Sequence, residues 1–316
     1  MDRRLHPPPR VPLSPRQSSP QLPKPSSRFS LILAGGLARG AAHLGAWRAL
    51  SDAQLVPERV VGVSIGAIVG AWLCKEGCTE ETSARLRYLA RSVHKDLSAN
   101  KRNIKSFWDV RHLMSFGQRR SFVEEKLGMK GLTFGELPLP LYVAATRLIP
   151  PGRVVFGDDP DGSVAEAILA STAVPSHLPV RAGHSYYLDG GLSGNLPVSE
   201  AAKRGARVVL AVSLGSPVRD GRGKARKVLW RVCRDIYRLS TLREIEGSRA
   251  RGITVLQVSS PEIESHGLFS FEKLDMIEEH GYKATQCVLP ALLQALGRPG
   301  GNEPSTSELQ GGTGGS

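Results

Sequence analysis

Cysteines, aromatic residues and long apolar runs are scarce in this 316-residue chain. Its four cysteines show neither C-x-x-C spacing nor a dense framework. We therefore expect reduced thiols in a cytosolic protein and no metal site. The longest uncharged apolar run, residues 60–74, is shorter than the ~20 residues that span a bilayer. It favours a buried strand followed by a core helix. We expect no secretory signal, because no apolar segment follows the basic residues 1–10.

Acidic residues are also in deficit, since 42 Lys and Arg stand against 29 Asp and Glu, giving a net charge of +13. The excess is concentrated in three segments, residues 1–28, 91–120 and 219–251, which carry net charges of +5, +6 and +7. Such clustering indicates an anionic surface partner, either phospholipid headgroups or nucleic acid. The alternative is a solvated basic face with a disordered tail.

The pattern predicts one folded domain between two polar tails. Residues 1–27 are rich in Pro, Ser, Gln and Arg, and residues 297–316 in Gly, Ser and Glu, so we expect disorder in both. Over residues 28–296, short apolar runs alternate with helical periodicity, which predicts an α/β domain with a mainly parallel sheet covered on both faces. Strands are predicted at residues 29–34, 60–63, 139–146, 153–156, 186–188, 206–214 and 253–258. Helices are predicted at residues 41–52, 164–173, 199–204, 224–246 and 274–296.

Two basic segments admit more than one interpretation. Residues 79–138 predict helices and loops that could form a lid or lipid-facing cap, or simply pack, and they include Lys101, Arg102, Lys105, Phe107 and Trp108. Residues 224–246 are amphipathic with a basic face, which is typical of an interfacial helix and equally of a core helix with a solvated side.

The candidate nucleophile is Ser64, which follows the apolar run 60–63 and precedes a helical segment. Gly62 and Gly66 flank it at two residues on either side, the G-x-S-x-G pattern of a nucleophile elbow. Small neighbours are needed there, because bulkier side chains would collide across a sharp strand-to-helix turn. We expect the Ser64 hydroxyl to stand exposed at the positive end of a helix dipole.

A second candidate feature is the glycine loop, residues 35–40, which lies between a buried strand and a helix. Such a loop can cradle an anion with backbone N–H groups. A P-loop would need Lys and Ser or Thr after Gly40, where Ala41 and Ala42 stand. A dinucleotide fingerprint would need glycine in place of Leu37. An oxyanion is the ligand that remains, against the alternative of a tight turn that binds nothing.

A candidate acidic site residue is Asp189, which follows the predicted strand 186–188 and is followed by Gly190 and Gly191. An acid at a strand end in a glycine-rich loop is held in a defined pose. The glycine loop, the elbow and this acid, in that order, resemble the patatin-like phospholipase family. The segments 170–175 (ASTAVP) and 194–197 (GNLP) resemble two further motifs of the family, and the similarity is greatest to its compact bacterial members.

The resemblance implies a three-layer α/β/α fold and a Ser–Asp dyad, with Ser64 as nucleophile and Asp189 as base. It implies an oxyanion hole in the glycine loop, with the N–H groups of Gly36 and Leu37 as donors; the loop comprises Gly35, Gly36, Leu37, Ala38, Arg39 and Gly40. Arg39 would either brace the loop or meet an acyl or phosphate oxygen. The substrate would be a phospholipid or lysophospholipid, with no metal or organic cofactor.

The sequence departs from the family pattern at two positions. Leu37 replaces a third glycine, and Arg147 stands where bacterial relatives often have Asp. Neither change removes a dyad residue. We therefore expect a cytoplasmic lipid acyl hydrolase that binds no specific nucleic acid. Residues 91–120 and 219–251 are the candidate segments for peripheral binding to the inner membrane.

Two alternatives stay open. One is a Ser–Asp–His α/β-hydrolase that uses His266 or His280, since both follow Asp189 in the order of that fold. The other is a non-catalytic protein that binds membrane or nucleic acid on this scaffold.

Overall fold

A computed structural model describes residues 28–99, 115–174, 178–215 and 224–297. The tail at residues 1–27 and residues 298–316 of the second tail lie outside the described residues. The basic and aromatic cluster at residues 101–108 lies outside them as well.

One eight-stranded sheet organises the described part of the chain. Its strands are β1 (Ser30–Leu33), β2 (Arg59–Val63), β3 (Leu141–Arg147), β4 (Gly152–Phe156), β5 (Val180–Ala182), β6 (Ser185–Leu188), β7 (Val208–Val212) and β8 (Thr254–Val258). The order is β5-β6-β3-β2-β1-β7-β8, and β4 also pairs with β3. β3, β2, β1, β7 and β8 are parallel. At one side, β4 and β6 pair antiparallel with β3, and β5 pairs antiparallel with β6. The predicted mainly parallel sheet is confirmed.

Helices flank this sheet. They are α1 (Ala41–Asp52), α2 (Ile65–Glu76), α3 (Glu80–Ala99), α4 (Phe116–Ser121), α5 (Val164–Ser171), α6 (Val198–Lys203), α7 (Lys224–Arg249), α8 (Pro261–Ser265) and α9 (Leu274–Ala295). A π-helical turn, Phe122–Lys126, follows α4. Every residue of β1 and β7 is buried, as expected for central strands covered on both faces. The chain is therefore a mixed α/β protein with a central, mostly parallel sheet flanked by helices.

Two glycines let α1 and α9 pack closely. A Cβ on Gly45 would collide with the backbone of Glu278, and one on Gly281 with the backbone of Ala42. The helix backbones therefore approach where neither has a side chain. The contact fixes α1, which begins directly after the glycine loop.

Two short elements had no counterpart in the prediction. β5 has only three residues, and its alternation about the exposed Arg181 is too short to identify a strand. α8 spans five residues and is set by its N-terminal cap, in which the Ser260 side chain accepts the N–H of Ile263. Local periodicity is too brief in both to predict them.

The carboxyl ends of the central strands carry the candidate site. The glycine loop follows β1, Ser64 follows β2, and β6 ends beside Thr146 of β3 just before Asp189. This is the edge at which parallel α/β sheets bind ligands. Among the described residues, no helix combines the length and the apolar character needed to cross a bilayer.

Candidate active site

Ser64 occupies a strained turn between β2 and α2. Its backbone lies at φ 54° and ψ −122°, a left-handed conformation that is rare for a residue with a Cβ. A Cβ on Gly66 would collide with the carbonyl oxygen of Leu33, and one on Gly62 would lie 2.5 Å from the carbonyl oxygen of Gly66. Both flanking glycines are therefore required by close backbone approach, as the elbow pattern predicts.

A second serine, Ser171, fixes the backbone of the elbow through hydrogen bonds. The Ser64 N–H donates to Ser171 Oγ at 2.8 Å, and the Ser171 hydroxyl donates to the carbonyl of Ala144 at 2.7 Å. The sequence-based expectation that Ser64 stands exposed was wrong, because only 8% of the residue is accessible. The glycine loop and the acid loop enclose it.

Asp189 faces Ser64. The Ser64 hydroxyl lies close enough to the Asp189 carboxylate to lower its pKa, and the Gly191 N–H donates to Asp189 Oδ1 at 2.9 Å. The Asp189 backbone is fixed on both sides: its N–H donates to Ala173 O at 2.7 Å, and its carbonyl accepts the Thr146 hydroxyl at 2.8 Å. Gly190 is needed because a Cβ there would collide with the carbonyl of Ala144.

The environment of Asp189 favours a proton acceptor near neutral pH. Burial raises the pKa of Asp189 to about 6, while the Ser64 hydroxyl, the hydrogen bond from Gly191 and the charge of Arg119 act against that rise. The rise makes the carboxylate a stronger base than a solvated one, yet leaves it ionised at pH 7.

Arg119, from α4, is the buried cation of the site. Its guanidinium donates to the carbonyl of Leu169 and to the hydroxyl of Thr172, both at 3.1 Å. Burial lowers the pKa of Arg119 and the charge of Asp189 opposes that effect. Arg119 thus binds the end of α5, and Ser171 and Ala173 at that end hold the backbones of Ser64 and Asp189.

The glycine loop is anchored at three points. The Asn195 side chain forms two hydrogen bonds with the backbone of Gly35: it accepts the N–H at 2.9 Å and donates to the carbonyl at 3.1 Å. The Ala38 N–H donates to Leu268 O at 3.0 Å. Leu37 lies between these anchors at φ 50°, a conformation that costs a non-glycine residue about 1–2 kcal/mol. Ser64 and Leu37 are two of the three described non-glycine residues with positive φ, so backbone strain concentrates at this site.

Arg39 braces the loop. Its buried guanidinium donates to the carbonyls of His266, Leu214 and Glu264 at 2.8, 2.9 and 2.8 Å. Of the two roles that the sequence left open, these contacts support the bracing role. Gly40, at the end of the loop, approaches Ile65 so closely that a Cβ would collide with its side chain.

The histidines near the site make other contacts. His43 Nε2 lies 2.8 Å from Ala34 O, and burial lowers its pKa to about 4, so the ring is neutral and acts as a packing and hydrogen-bonding residue. His266 and His280 face each other, with Nε2 and Nδ1 3.2 Å apart. Among the described residues, no group of three His, Cys, Asp or Glu side chains is arranged to hold a metal ion.

The structure thus brings together Ser64, Asp189 and the glycine loop from three separate parts of the chain. Sequence reasoning missed the roles of the residues that hold them, Ser171, Asn195, Thr146 and Arg119. Ser171 and Asn195 lie in the two motifs quoted above, which signalled their importance but not their contacts. Nothing in the local pattern around Arg119 distinguishes it from other surface arginines.

Comparison with known proteins bears on what this arrangement does. The family model described as patatin-like phospholipase matches residues 31–202, more than half of the chain. The chain belongs to the patatin-like phospholipase family. The matched span contains the glycine loop, Ser64, Asp189 and Asn195, so the geometry above is that of a patatin-like phospholipase domain.

Relatives carry phospholipase and lysophospholipase names. Mouse patatin-like phospholipase domain-containing protein 7 is 28% identical over 281 residues, covering 81% of this chain and 20% of the relative. Mouse patatin-like phospholipase domain-containing protein 6 is 26% identical over 284 residues, with 82% and 20% covered. Lysophospholipase NTE1 of Yarrowia lipolytica is 31% identical over 196 residues, with 60% and 13% covered. The chain therefore spans a fifth or less of the length of these relatives.

Solved structures with some similarity come from bacterial proteins. VipD from Legionella pneumophila aligns over 86% of this chain and 67% of its own, with 16% identity and a TM-score of 0.45. ExoU in its complex with SpcU from Pseudomonas aeruginosa aligns over 85% and 52%, with 17% identity and a TM-score of 0.40.

Proposed function

We propose that this patatin-like phospholipase hydrolyses the carboxylic ester bonds of phospholipids or lysophospholipids through Ser64 and Asp189. The observation that carries the proposal is the placement of the Ser64 hydroxyl beside the buried Asp189 carboxylate at a strained elbow. The family and the names of its relatives support lipid acyl hydrolysis as the reaction class.

The first half of the reaction forms an acyl-enzyme. Ser64 Oγ attacks the ester carbonyl carbon while its proton passes to Asp189, and the carbonyl oxygen becomes an oxyanion. The N–H groups of Gly36 and Leu37 stabilise that oxyanion, in a loop that Arg39 and Asn195 keep rigid. Collapse of the tetrahedral intermediate expels the alcohol, which takes the proton from Asp189.

The second half regenerates the enzyme. Asp189 accepts a proton from water, and the resulting hydroxide attacks the acyl carbonyl carbon. The fatty acid leaves as Ser64 recovers its proton. Every proton therefore moves between Ser64, Asp189, the alcohol and water, and the mechanism uses no metal.

The membrane part of the proposal concerns residues 91–120 and 219–251, whose positive charge suits an anionic bilayer. Residues 91–99, 115–120 and 224–251 of these segments belong to the described chain. In this proposal the protein is cytoplasmic and reaches its substrate as a peripheral membrane protein.

The test is hydrolysis of p-nitrophenyl butyrate and of lysophosphatidylcholine by the wild type, Ser64→Ala and Asp189→Asn. Both variants are expected to lose at least about a thousandfold in rate, because each removes a group used in the transition state. Ser51→Ala, at an exposed serine on α1, is the matched control and should keep full activity. Equal rates in Ser64→Ala and wild type would refute the proposal.

The same assay separates the competing hydrolase mechanism. His266→Ala and His280→Ala should each retain most of the activity, since the two rings contact each other and Asp189 contacts Ser64. Loss of nearly all activity in one of these variants would instead support a Ser–Asp–His mechanism.

A further inference from the structure

The antiparallel side of the sheet carries two neighbouring segments, which we call the hairpin rim: the turn between β3 and β4 with its flanking residues (147–153), and the hairpin of β5 and β6 (178–188). The Leu148 N–H donates to Tyr186 O at 2.9 Å, and Arg181 pairs with Tyr186 across β5 and β6. The first turn follows the carboxyl end of β3, so the rim lies at the same sheet edge as Ser64 and the glycine loop.

Large apolar side chains are exposed on this rim. Leu178 and Ile149 are 86% and 80% exposed, the two highest values among the exposed large hydrophobic residues of the described chain, and Tyr186 is 51% exposed. Single exposed apolar residues are common, but a cluster on hydrogen-bonded neighbouring segments beside a site marks a contact surface.

The charge of the rim has one sign. Residues 147–153 and 178–188 contain three arginines and neither Asp nor Glu. Arg153 is turned inward to Glu244 and the Ser193 carbonyl, at 2.6 and 2.7 Å, which leaves Arg147 and the exposed Arg181 at the rim. Arginines beside leucine, isoleucine and tyrosine suit the boundary between anionic headgroups and acyl chains.

We propose that the hairpin rim docks the chain on an anionic phospholipid bilayer, with the carboxyl edge of the sheet facing the lipid. The inference rests on the proposed function, since a phospholipid hydrolase must receive its substrate from such a surface. The rim suits a second copy of the chain less well than it suits a bilayer. Such a copy would pair with the edge strand β5, which offers only three residues.

The test measures co-sedimentation of the full chain carrying Ser64→Ala with vesicles of phosphatidylcholine alone or mixed with phosphatidylserine. Adding Ile149→Ser, Leu178→Ser and Tyr186→Ser should lower binding by about tenfold or more. Arg147→Gln with Arg181→Gln should lose about fivefold per arginine on the mixed vesicles only. Tyr88→Ser with Met276→Ser is the matched control, since these apolar residues are 57% and 53% exposed on α3 and α9; it should bind normally.

With Ser64 restored, the triple rim variant should still hydrolyse soluble p-nitrophenyl butyrate while losing activity on vesicle phospholipid. Binding by the triple variant equal to that of its Ser64→Ala parent would overturn the proposal, as would a parent that binds neither vesicle. A change in the oligomeric state of the triple variant in sedimentation without lipid would assign the rim to self-association instead. Vesicle binding is measured without catalysis, so the two proposals are tested separately. Failure of the ester assay would refute the proposed function, and the vesicle-binding result would still test whether the hairpin rim binds membrane.

Discussion

The Asp189 carboxylate is deeply buried and lies beside the Ser64 hydroxyl. Both features determine how the reaction rate depends on pH. Because burial raises its pKa to about 6, the carboxylate accepts the Ser64 proton above that pH and loses this ability below it. We predict that kcat/KM for p-nitrophenyl butyrate rises with pH through about 6 and then levels. A rate that is flat from about pH 5 to 8 would contradict this assignment of the base.

The burial of the Asp189 carboxylate also lowers the free energy of unfolding at pH values at which the group is ionised. Its folded-state pKa of about 6 exceeds the ordinary 3.8, so the folded chain binds a proton more tightly than the unfolded chain. Stability therefore falls as pH rises from about 4 to 6 and stays lower above. Asp189→Asn should be more stable by about 1–3 kcal/mol at pH 8 and equal near pH 4 in urea unfolding. Asp161→Asn, at an exposed aspartate, should show no such gain.

Arg119 offers a test of how Asp189 is kept ionised. Its positive charge lowers the pKa of Asp189, and its guanidinium ties down the end of α5. Arg119→Met should therefore move the acid limb of the pH–rate profile to higher pH. The adjacent Arg120→Met is the control, since Arg120 pairs with Glu124 on the more exposed side of α4. An unchanged acid limb in Arg119→Met would show that its role is only to pack.

The residues of the candidate site differ in how far the sequence predicts them. Ser64 and Asp189 lie in short local patterns, glycine at minus and plus two and a glycine pair after a strand, so they could be identified without a structure. Arg119 contacts Leu169 and Thr172 from a segment some fifty positions earlier, and no local pattern encodes such a distant contact. The sequence shows only that Leu37 replaces a glycine. Its positive φ and the burial of Ser64 depend on contacts that only the fold assembles.

The position of the glycine loop depends on the packing of α1 against α9, because α1 begins directly after the loop. Because a Cβ on Gly45 would collide with the backbone of Glu278, Gly45→Ala should separate the two helices. We predict a loss of about 1–3 kcal/mol in the free energy of unfolding, from thermal or urea denaturation.

Gly247→Ala is the matched control for that substitution. Gly247 is also helical, but the nearest atom to its added Cβ would be a side-chain atom of Arg251 at 3.6 Å, an ordinary contact. It should be neutral or stabilise by up to about 1 kcal/mol. Equal effects of the two substitutions would contradict the close packing of α1 on α9.

The length of these helices and strands determined whether the sequence could predict them. α1 was predicted with its observed bounds, Ala41–Asp52, because twelve residues give several turns of periodicity. β5 and α8 were missed because three and five residues carry too little pattern, and their positions are set by pairing with β6 and by a cap.

For the whole molecule, the described residues contain the sheet, the flanking helices and the candidate site within 28–297. The predicted domain boundaries imply that residues 1–27 and 297–316 add little to folding. Removing both should change Tm by less than about 2 °C and leave p-nitrophenyl butyrate hydrolysis intact. A large loss of either would show that the tails belong to the folded unit.

Covalent labelling of Ser64 tests the central claim most directly. The full chain would be treated with a fluorophosphonate, digested, and the modified residue located by mass spectrometry, beside Ser64→Ala and Asp189→Asn. The account predicts one modified serine, Ser64, with no labelling in Ser64→Ala and much slower labelling in Asp189→Asn, because the probe reacts only with a serine whose proton is withdrawn. Labelling at another serine, or none in a folded and otherwise intact wild type, would contradict it.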